Sequence, residues 1–165
     1  MKLPRKPAGN PAFSSSSKPT SNIQRRRLAS TLLKQNYRPL RLLVIIENPT
    51  NLTIVTSMLT SLKMKSDQVD NAPDALHLLM SRSYDVVFME RSMREMNGLE
   101  IATWLRSSPG CLNHRTPIVE LSAVDTWQDA DRRKAAGIQD ALGNHIHIED
   151  LAAIINKWIQ IEPTS

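Results

Sequence analysis

The chain has 165 residues, of which 41% are hydrophobic, so it can form one domain with a real core plus an additional segment. No apolar run approaches the roughly 18 residues that a membrane-spanning helix needs, which excludes a membrane span. Cys111 is the only cysteine, which excludes a disulfide framework and a site built from several thiolates. We therefore expect a reducing compartment and a cytoplasmic location.

The net charge of +5 is distributed unevenly along the chain. Residues 1–40 contain nine Lys and Arg and no acidic residue, whereas the remaining 125 residues contain 12 Lys and Arg and 16 acids. We therefore predict a basic tail over 1–38 and a mildly acidic domain over 39–162. The first 20 residues are rich in Pro, Ser and Lys and contain few large apolar side chains, which favours disorder.

The segment 22–37 combines apolar residues with three consecutive arginines, Arg25, Arg26 and Arg27. The spacing of its apolar residues fits one stripe of a short basic helix, with Asn22 as the N-cap. A solvated linker is the alternative interpretation of the same segment. If the helix forms, its charge suits docking on a partner protein, an anionic membrane surface or a nucleic acid.

From residue 40 onward, short apolar runs alternate with segments of helical periodicity. The longest runs, Arg41–Ile46 and Val86–Met89, lack polar alternation, which is typical of buried parallel strands. Strands are predicted over 41–46, 65–69, 86–90, 117–122 and 139–143. Helices are predicted over 49–62, from 73, from 99 to 106, over 127–136 and over 149–160. Gly137 is suitably placed to end the fourth helix.

The alternation of five strands with five helices predicts an α/β domain with a parallel sheet and helices on both faces. Right-handed crossovers leave few topologies, and we expect the flavodoxin-like strand order 2-1-3-4-5. In such a sheet the binding site lies in the loops at the carboxyl ends of the strands. Glu90 ends the third predicted strand and is therefore a candidate site residue.

The stretch Tyr84–Glu100, YDVVFMERSMREMNGLE, resembles the phosphoacceptor strand and following loop of response-regulator receiver domains. Three further stretches resemble receiver motifs in the same order. RLLVIIENPTN is similar to the first strand and loop of receivers in hybrid histidine kinases, IVELSA to the fourth strand, and AAGIQDALGNHI to the fifth. The likeness extends from Leu40 to about Ile159 and implies a CheY-like (βα)5 receiver fold.

The resemblance also implies a site at which this chain departs from the family. Receivers bind Mg²⁺ through two acids, accept the phosphoryl group on an aspartate, and hold its oxygens with a hydroxyl and a lysine. The matching positions here are Ile46, Glu47, Glu90, Ser122 and Asn144. Ile46 removes a metal ligand, Asn144 removes the cation, and Glu90 carries its carboxylate one methylene farther out. Because phosphoryl transfer depends on positioning and charge, we expect no aspartyl-phosphate chemistry and no enzymatic activity.

Glu90 admits two interpretations at this stage. Its carboxylate could mimic the phosphorylated state by accepting a hydrogen bond from Ser122, or it could reflect drift in an unused site. The position of the family's aromatic switch residue is Ala141, which counts against mimicry. No cofactor is expected; a residual Mg²⁺ site formed by Glu47, Glu90 and the Ser92 carbonyl is the weaker alternative.

The leading functional hypothesis is a non-phosphorylatable pseudo-receiver that acts as an adaptor or inhibitor in two-component signalling. Its expected partner is a histidine kinase, a phosphotransfer protein or another receiver, including a second copy of this chain. Receivers commonly pair through their fourth helix, fifth strand and fifth helix. The corresponding face here includes Trp127, Asp129, Arg132, Arg133 and Asp140. Two alternatives stay open: nucleic-acid or anionic-surface binding led by the basic tail, and a response regulator that is still phosphorylatable.

Overall fold

A computed structural model of the protein describes residues 39–122, 127–143 and 145–159, together with residues 23, 24 and 27. Within these residues five strands and five helices alternate, and every bound that the sequence predicted lies within one residue of its observed position. The strands are β1 (Leu42–Ile45), β2 (Ser66–Val69), β3 (Val86–Glu90), β4 (Ile118–Leu121) and β5 (Asp140–Leu142). The helices are α1 (Pro49–Ser61), α2 (Ala72–Ser81), α3 (Gly98–Arg106), α4 (Trp127–Ala136) and α5 (Ile148–Ile159).

The strands form one parallel sheet in the order β2-β1-β3-β4-β5, which confirms the predicted topology. Successive side chains on a strand point to opposite faces, so the sheet supports two cores. Val44 and Phe88 belong to the core covered by α1 and α5. Leu43 and Val87 belong to the core covered by α2, α3 and α4. All five strands therefore end at one edge, where the loops leading into the helices meet.

Asparagine side chains mark the start of three helices at this edge. Asn48 accepts hydrogen bonds from the backbone of the first turn of α1, and Asn71 does the same for α2. Asn97 and Glu100 form a reciprocal capping box at the start of α3. These caps satisfy backbone N–H groups that a helix leaves without partners, and so they define where each loop ends.

The opposite edge is held together by Arg106 at the end of α3. Its guanidinium donates to the carbonyl oxygens of His114, Thr116 and Gly137 at 2.7, 2.7 and 3.0 Å. Gly137 has a φ of 81°, a left-handed conformation that ends α4 as predicted. Because three carbonyl groups converge on one side chain, Arg106 connects the loop after α3 to the loop before β5.

A second polar connection involves Asn113, which is fully buried. Its amide nitrogen donates to the carbonyl oxygens of Leu79 and Arg82, both at 2.6 Å. Its amide oxygen accepts the Tyr84 N–H at 2.8 Å. The loop that follows α3 is thereby attached to the end of α2 and to the approach to β3.

In the tail, Ile23, Gln24 and Arg27 are helical and exposed. Arg25, Arg26 and the other residues of the predicted tail 1–38 lie outside the described residues, so its disorder, its boundary and its proposed binding to nucleic acid stay predictions. In the described part of the chain, no helix has both the length and the apolarity needed to cross a bilayer.

Candidate functional site

The carboxyl ends of β1, β3, β4 and β5 surround a cleft of about 130 Å³. Ile46, Glu90 and Ser122, three of the predicted site positions, line it. The apolar part of its wall comes from Ile46, Val55, Leu121 and other aliphatic side chains. Asn144 lies outside the described residues. The cleft thus combines one carboxylate and several other polar residues, among them Asn51 and Ser92, with an aliphatic side.

Glu90 directs its carboxylate to the loop between β1 and α1. One carboxylate oxygen accepts the backbone N–H groups of Glu47 at 2.8 Å and Asn48 at 3.2 Å. The other accepts the side-chain amide of Asn51 at 3.4 Å. Among the described residues, these bonds leave out Ser122, the donor that the mimicry interpretation required. The carboxylate also lies near the positive end of the α1 dipole, which favours its charge.

Glu47 points away from Glu90, toward the loop between β3 and α3. Its carboxylate accepts the Arg94 backbone N–H at 2.7 Å and pairs with the Arg94 guanidinium at 2.5 Å. The Arg94 side chain is 90% exposed, so the ion pair contributes little stability. The consequence for the site is geometric, because the two candidate metal ligands face different partners.

The residues at these strand ends do not fit a Mg²⁺ site of the receiver type. Ile46, at the position of one family acid, is apolar and buried. The carboxylates of Glu47 and Glu90 accept protein N–H groups at short distances. In the part of the chain that the structure describes, no group of three or more His, Cys, Asp or Glu side chains could hold a metal. The alternative of a residual Mg²⁺ site on these two carboxylates is therefore not supported by their geometry.

Gly98 allows α3 to approach the end of β3 closely. A Cβ atom at this position would lie 2.9 Å from the carbonyl oxygen of Glu90 and 3.3 Å from the Cα atom of Arg91. The Gly98 N–H instead donates to the Arg91 carbonyl oxygen at 2.9 Å. The loop that carries the site is thus packed directly against the first turn of a helix.

A buried ionic network lies on the other side of β3, and the sequence pattern did not predict it. The Arg91 guanidinium contacts Glu120 at 2.6 Å and Asp129 at 3.0 Å, and Arg133 lies 3.6 Å from Glu120. Burial alone would lower the pKa of Arg91, but the bonds to Glu120 and Asp129 raise it above its usual value. The available signal was the single glutamate in the apolar strand PIVELS.

Two side chains of the predicted interaction face are largely buried, and the face itself stays a prediction. The side chains of Asp129 and Arg133 are only 11% and 12% exposed, because they turn inward to Arg91 and Glu120. Asp140 accepts hydrogen bonds from neighbouring side chains on α5, and Arg132 is exposed. The side chain of Trp127 lies outside what the structure describes. Ala141 is half-buried in β5.

Comparison with known proteins agrees with this architecture. The response regulator receiver domain family matches residues 42–156. A hybrid signal transduction histidine kinase G from Dictyostelium discoideum is 27% identical over 72% of this chain, and the sensor histidine kinase GacS from Pseudomonas protegens is 29% identical over 72%. The chain spans only 4% and 13% of those relatives, and 15% of a probable histidine kinase 1 from Oryza sativa subsp. indica.

Solved structures of receivers share the fold. The receiver domain of a sensor histidine kinase from Pseudomonas aeruginosa, described with a magnesium ion in its active-site cleft, has a TM-score of 0.67 and 24% identity, covering 74% of this chain and 99% of that one. Chemotaxis protein CheY4 from Vibrio cholerae has a TM-score of 0.68 and 18% identity, covering 73% and 99%. Together with the family match, these findings mean that the chain belongs to the response regulator receiver family of two-component signalling, with homologues in hybrid histidine kinases.

Proposed function

We propose that this receiver domain does not accept a phosphoryl group and acts as a protein-binding module, a pseudo-receiver. The observation that carries the proposal is the placement of the Glu90 carboxylate on the backbone N–H groups of Glu47 and Asn48. A carboxylate that attacks phosphorus must offer a free oxygen in line with the leaving group. In Glu90 one carboxylate oxygen accepts two backbone N–H groups, and the other contacts the side-chain amide of Asn51.

Three further features point in the same direction. Ile46 replaces a potential metal ligand with a buried aliphatic side chain. Glu47 is paired with Arg94 rather than aimed into the cleft. In the sequence, Asn144 stands where the family has its phosphoryl-binding lysine. Charge on a transferring phosphoryl group would therefore lack both of the cations that normally stabilise it.

Within this proposal Glu90 is a structural residue. Its hydrogen bonds connect the end of β3 to the loop that precedes α1. This geometry favours an anchoring role over mimicry of a phosphoryl group, since mimicry calls for contact with Ser122. The site would then have one stable arrangement.

Receiver domains interact with histidine kinases and phosphotransfer proteins, and the relatives of this chain include several named histidine kinases. A receiver that binds such a partner without exchanging a phosphoryl group would act as an adaptor, or as an inhibitor that occupies the partner's docking surface. Another receiver, including a second copy of this chain, is the third kind of partner.

The test is incubation of the full chain with Mg²⁺ and acetyl phosphate, followed by intact mass measurement. A phosphorylatable receiver serves as the positive control, and an Ile46→Asp, Glu90→Asp, Asn144→Lys variant asks whether the three positions account for the loss. We expect no phosphoryl adduct on the natural chain while the positive control is modified. A labile phosphoryl adduct on the natural chain would overturn the proposal, and the protein would then be a phosphorylatable response regulator.

A further inference from the structure

The last residue of β3 and the residue after it connect to opposite sides of the sheet. Glu90 contacts the loop before α1 on one side. Arg91 contacts Glu120 of β4 and Asp129 of α4 on the other. This follows from strand geometry, because adjacent side chains alternate between faces. Glu90, at the phosphoacceptor position of the family, is thus directly followed in the chain by Arg91, which forms an ion pair with α4.

The part of α4 whose side chains the structure describes, residues 129–136, buries little apolar surface. Its sequence, WQDADRRKAA, is strongly polar, and from Asp129 to Ala136 the only buried apolar side chain is that of Ala136. A helix of a globular protein is normally held by an apolar stripe. This part of α4 lacks such a stripe, and its inward-facing polar side chains, Asp129 and Arg133, form ion pairs with Arg91 and Glu120.

Those ionic contacts are built around a fully buried carboxylate. Glu120 is 0% exposed. One of its carboxylate oxygens accepts a hydrogen bond from the Arg91 guanidinium at 2.6 Å, and the other has no partner within the described residues. Arg91 Nε is also buried, and it has no hydrogen-bond partner in the part of the chain that the structure describes. A buried pair of this kind adds little net stability, but removal of one member is costly, so it constrains geometry more than it stabilises the fold.

We propose that Arg91, Glu120 and Asp129 form a permanent internal connection that holds α4 against the site loop. The helix then keeps one position without any phosphoryl group. This inference rests on the proposed function. It adds that the connection keeps the binding surface, the outward side of α4 with the exposed Arg132, in one arrangement.

Amide hydrogen exchange of the full chain tests the proposal. In Asp129→Asn, which removes the charge at the α4 end, we expect exchange across 129–136 to rise about tenfold while α1 and α5 keep their rates. The matched control is Asp131→Asn, the same change at an exposed position of the same helix, for which we expect less than about a twofold change. Arg91→Gln, in the loop after β3, should accelerate the amide exchange of α4 in the same way.

Unchanged α4 exchange in Asp129→Asn would overturn the proposal. An equal rise in every element would also overturn it, because the network would then serve overall stability only. If Arg91→Gln fails to fold, Asp129→Asn decides, since it leaves the Arg91–Glu120 pair in place. The outcome is independent of the acetyl phosphate experiment: a phosphoryl adduct would refute the pseudo-receiver function and leave the exchange result to stand separately.

Discussion

Replacement of Glu90 by aspartate, the family's own residue, is expected to destabilise this protein. The change removes one methylene and withdraws the carboxylate by about 1.5 Å, the length of one carbon–carbon bond. The bonds to the Glu47 and Asn48 N–H groups, now 2.8 and 3.2 Å long, would then exceed hydrogen-bonding distance. Both backbone donors would lose a charged acceptor.

Hydrogen bonds to charged groups contribute about 1.5–3 kcal/mol each when they are well buried. Glu90 is half-buried and a withdrawn carboxylate regains water, so we expect a decrease of about 1–2 kcal/mol in the free energy of unfolding for the two bonds together. Urea unfolding measures it as a lower midpoint with an unchanged slope. Glu95→Asp, the same change at an exposed loop position, is the control and should stay within about 0.5 kcal/mol. A Glu90→Asp variant as stable as the natural chain would refute the anchoring role.

Three other substitutions test the framework around the site. Gly137→Ala should lower the free energy of unfolding in urea by about 2–4 kcal/mol, because φ is 81° and the new Cβ atom would lie 2.5 Å from Arg106 Cγ. Gly110→Ala, where the new Cβ atom would have no atom within 4 Å, is the control and should be neutral. Asn113→Ala should cost about 2–4 kcal/mol in thermal or urea unfolding, because it leaves buried backbone groups unpaired; a loss below about 1 kcal/mol would contradict this. The hydrogen bond from the Tyr84 hydroxyl lowers the pKa of Asp67 below its usual 3.8; burial opposes this shift and Arg82 adds to it. The ionised Asp67 therefore stabilises the folded protein above pH 3.8, and this stabilisation is lost as the pH falls through the pKa that Asp67 has in the folded state. Asp67→Asn should therefore flatten the dependence of the urea midpoint on pH between about pH 5 and pH 2, and parallel curves would exclude the linkage.

The order and bounds of the structural elements could be predicted because they depend on local pattern. Apolar runs such as Arg41–Ile46 and helical spacing such as that of α5 are properties of neighbouring residues, and Gly137 signals a helix end by itself. The parallel sheet then places Glu90 and Ser122 at one edge by topology alone. The site's location was for this reason accessible from the sequence.

The sequence by itself therefore determined the fold, the edge at which the site lies and the departures from the family at Ile46 and Glu90. Only the tertiary structure decided where the charged side chains point. The Glu90 carboxylate reaches backbone N–H groups some 40 residues away in the chain, and Arg91 reaches Glu120 on the neighbouring strand β4. Asp129 turned out to be interior although its helix is polar. These outcomes depend on which elements pack together, because a charge on a solvent-facing pattern becomes buried only when a distant partner supplies the opposite charge.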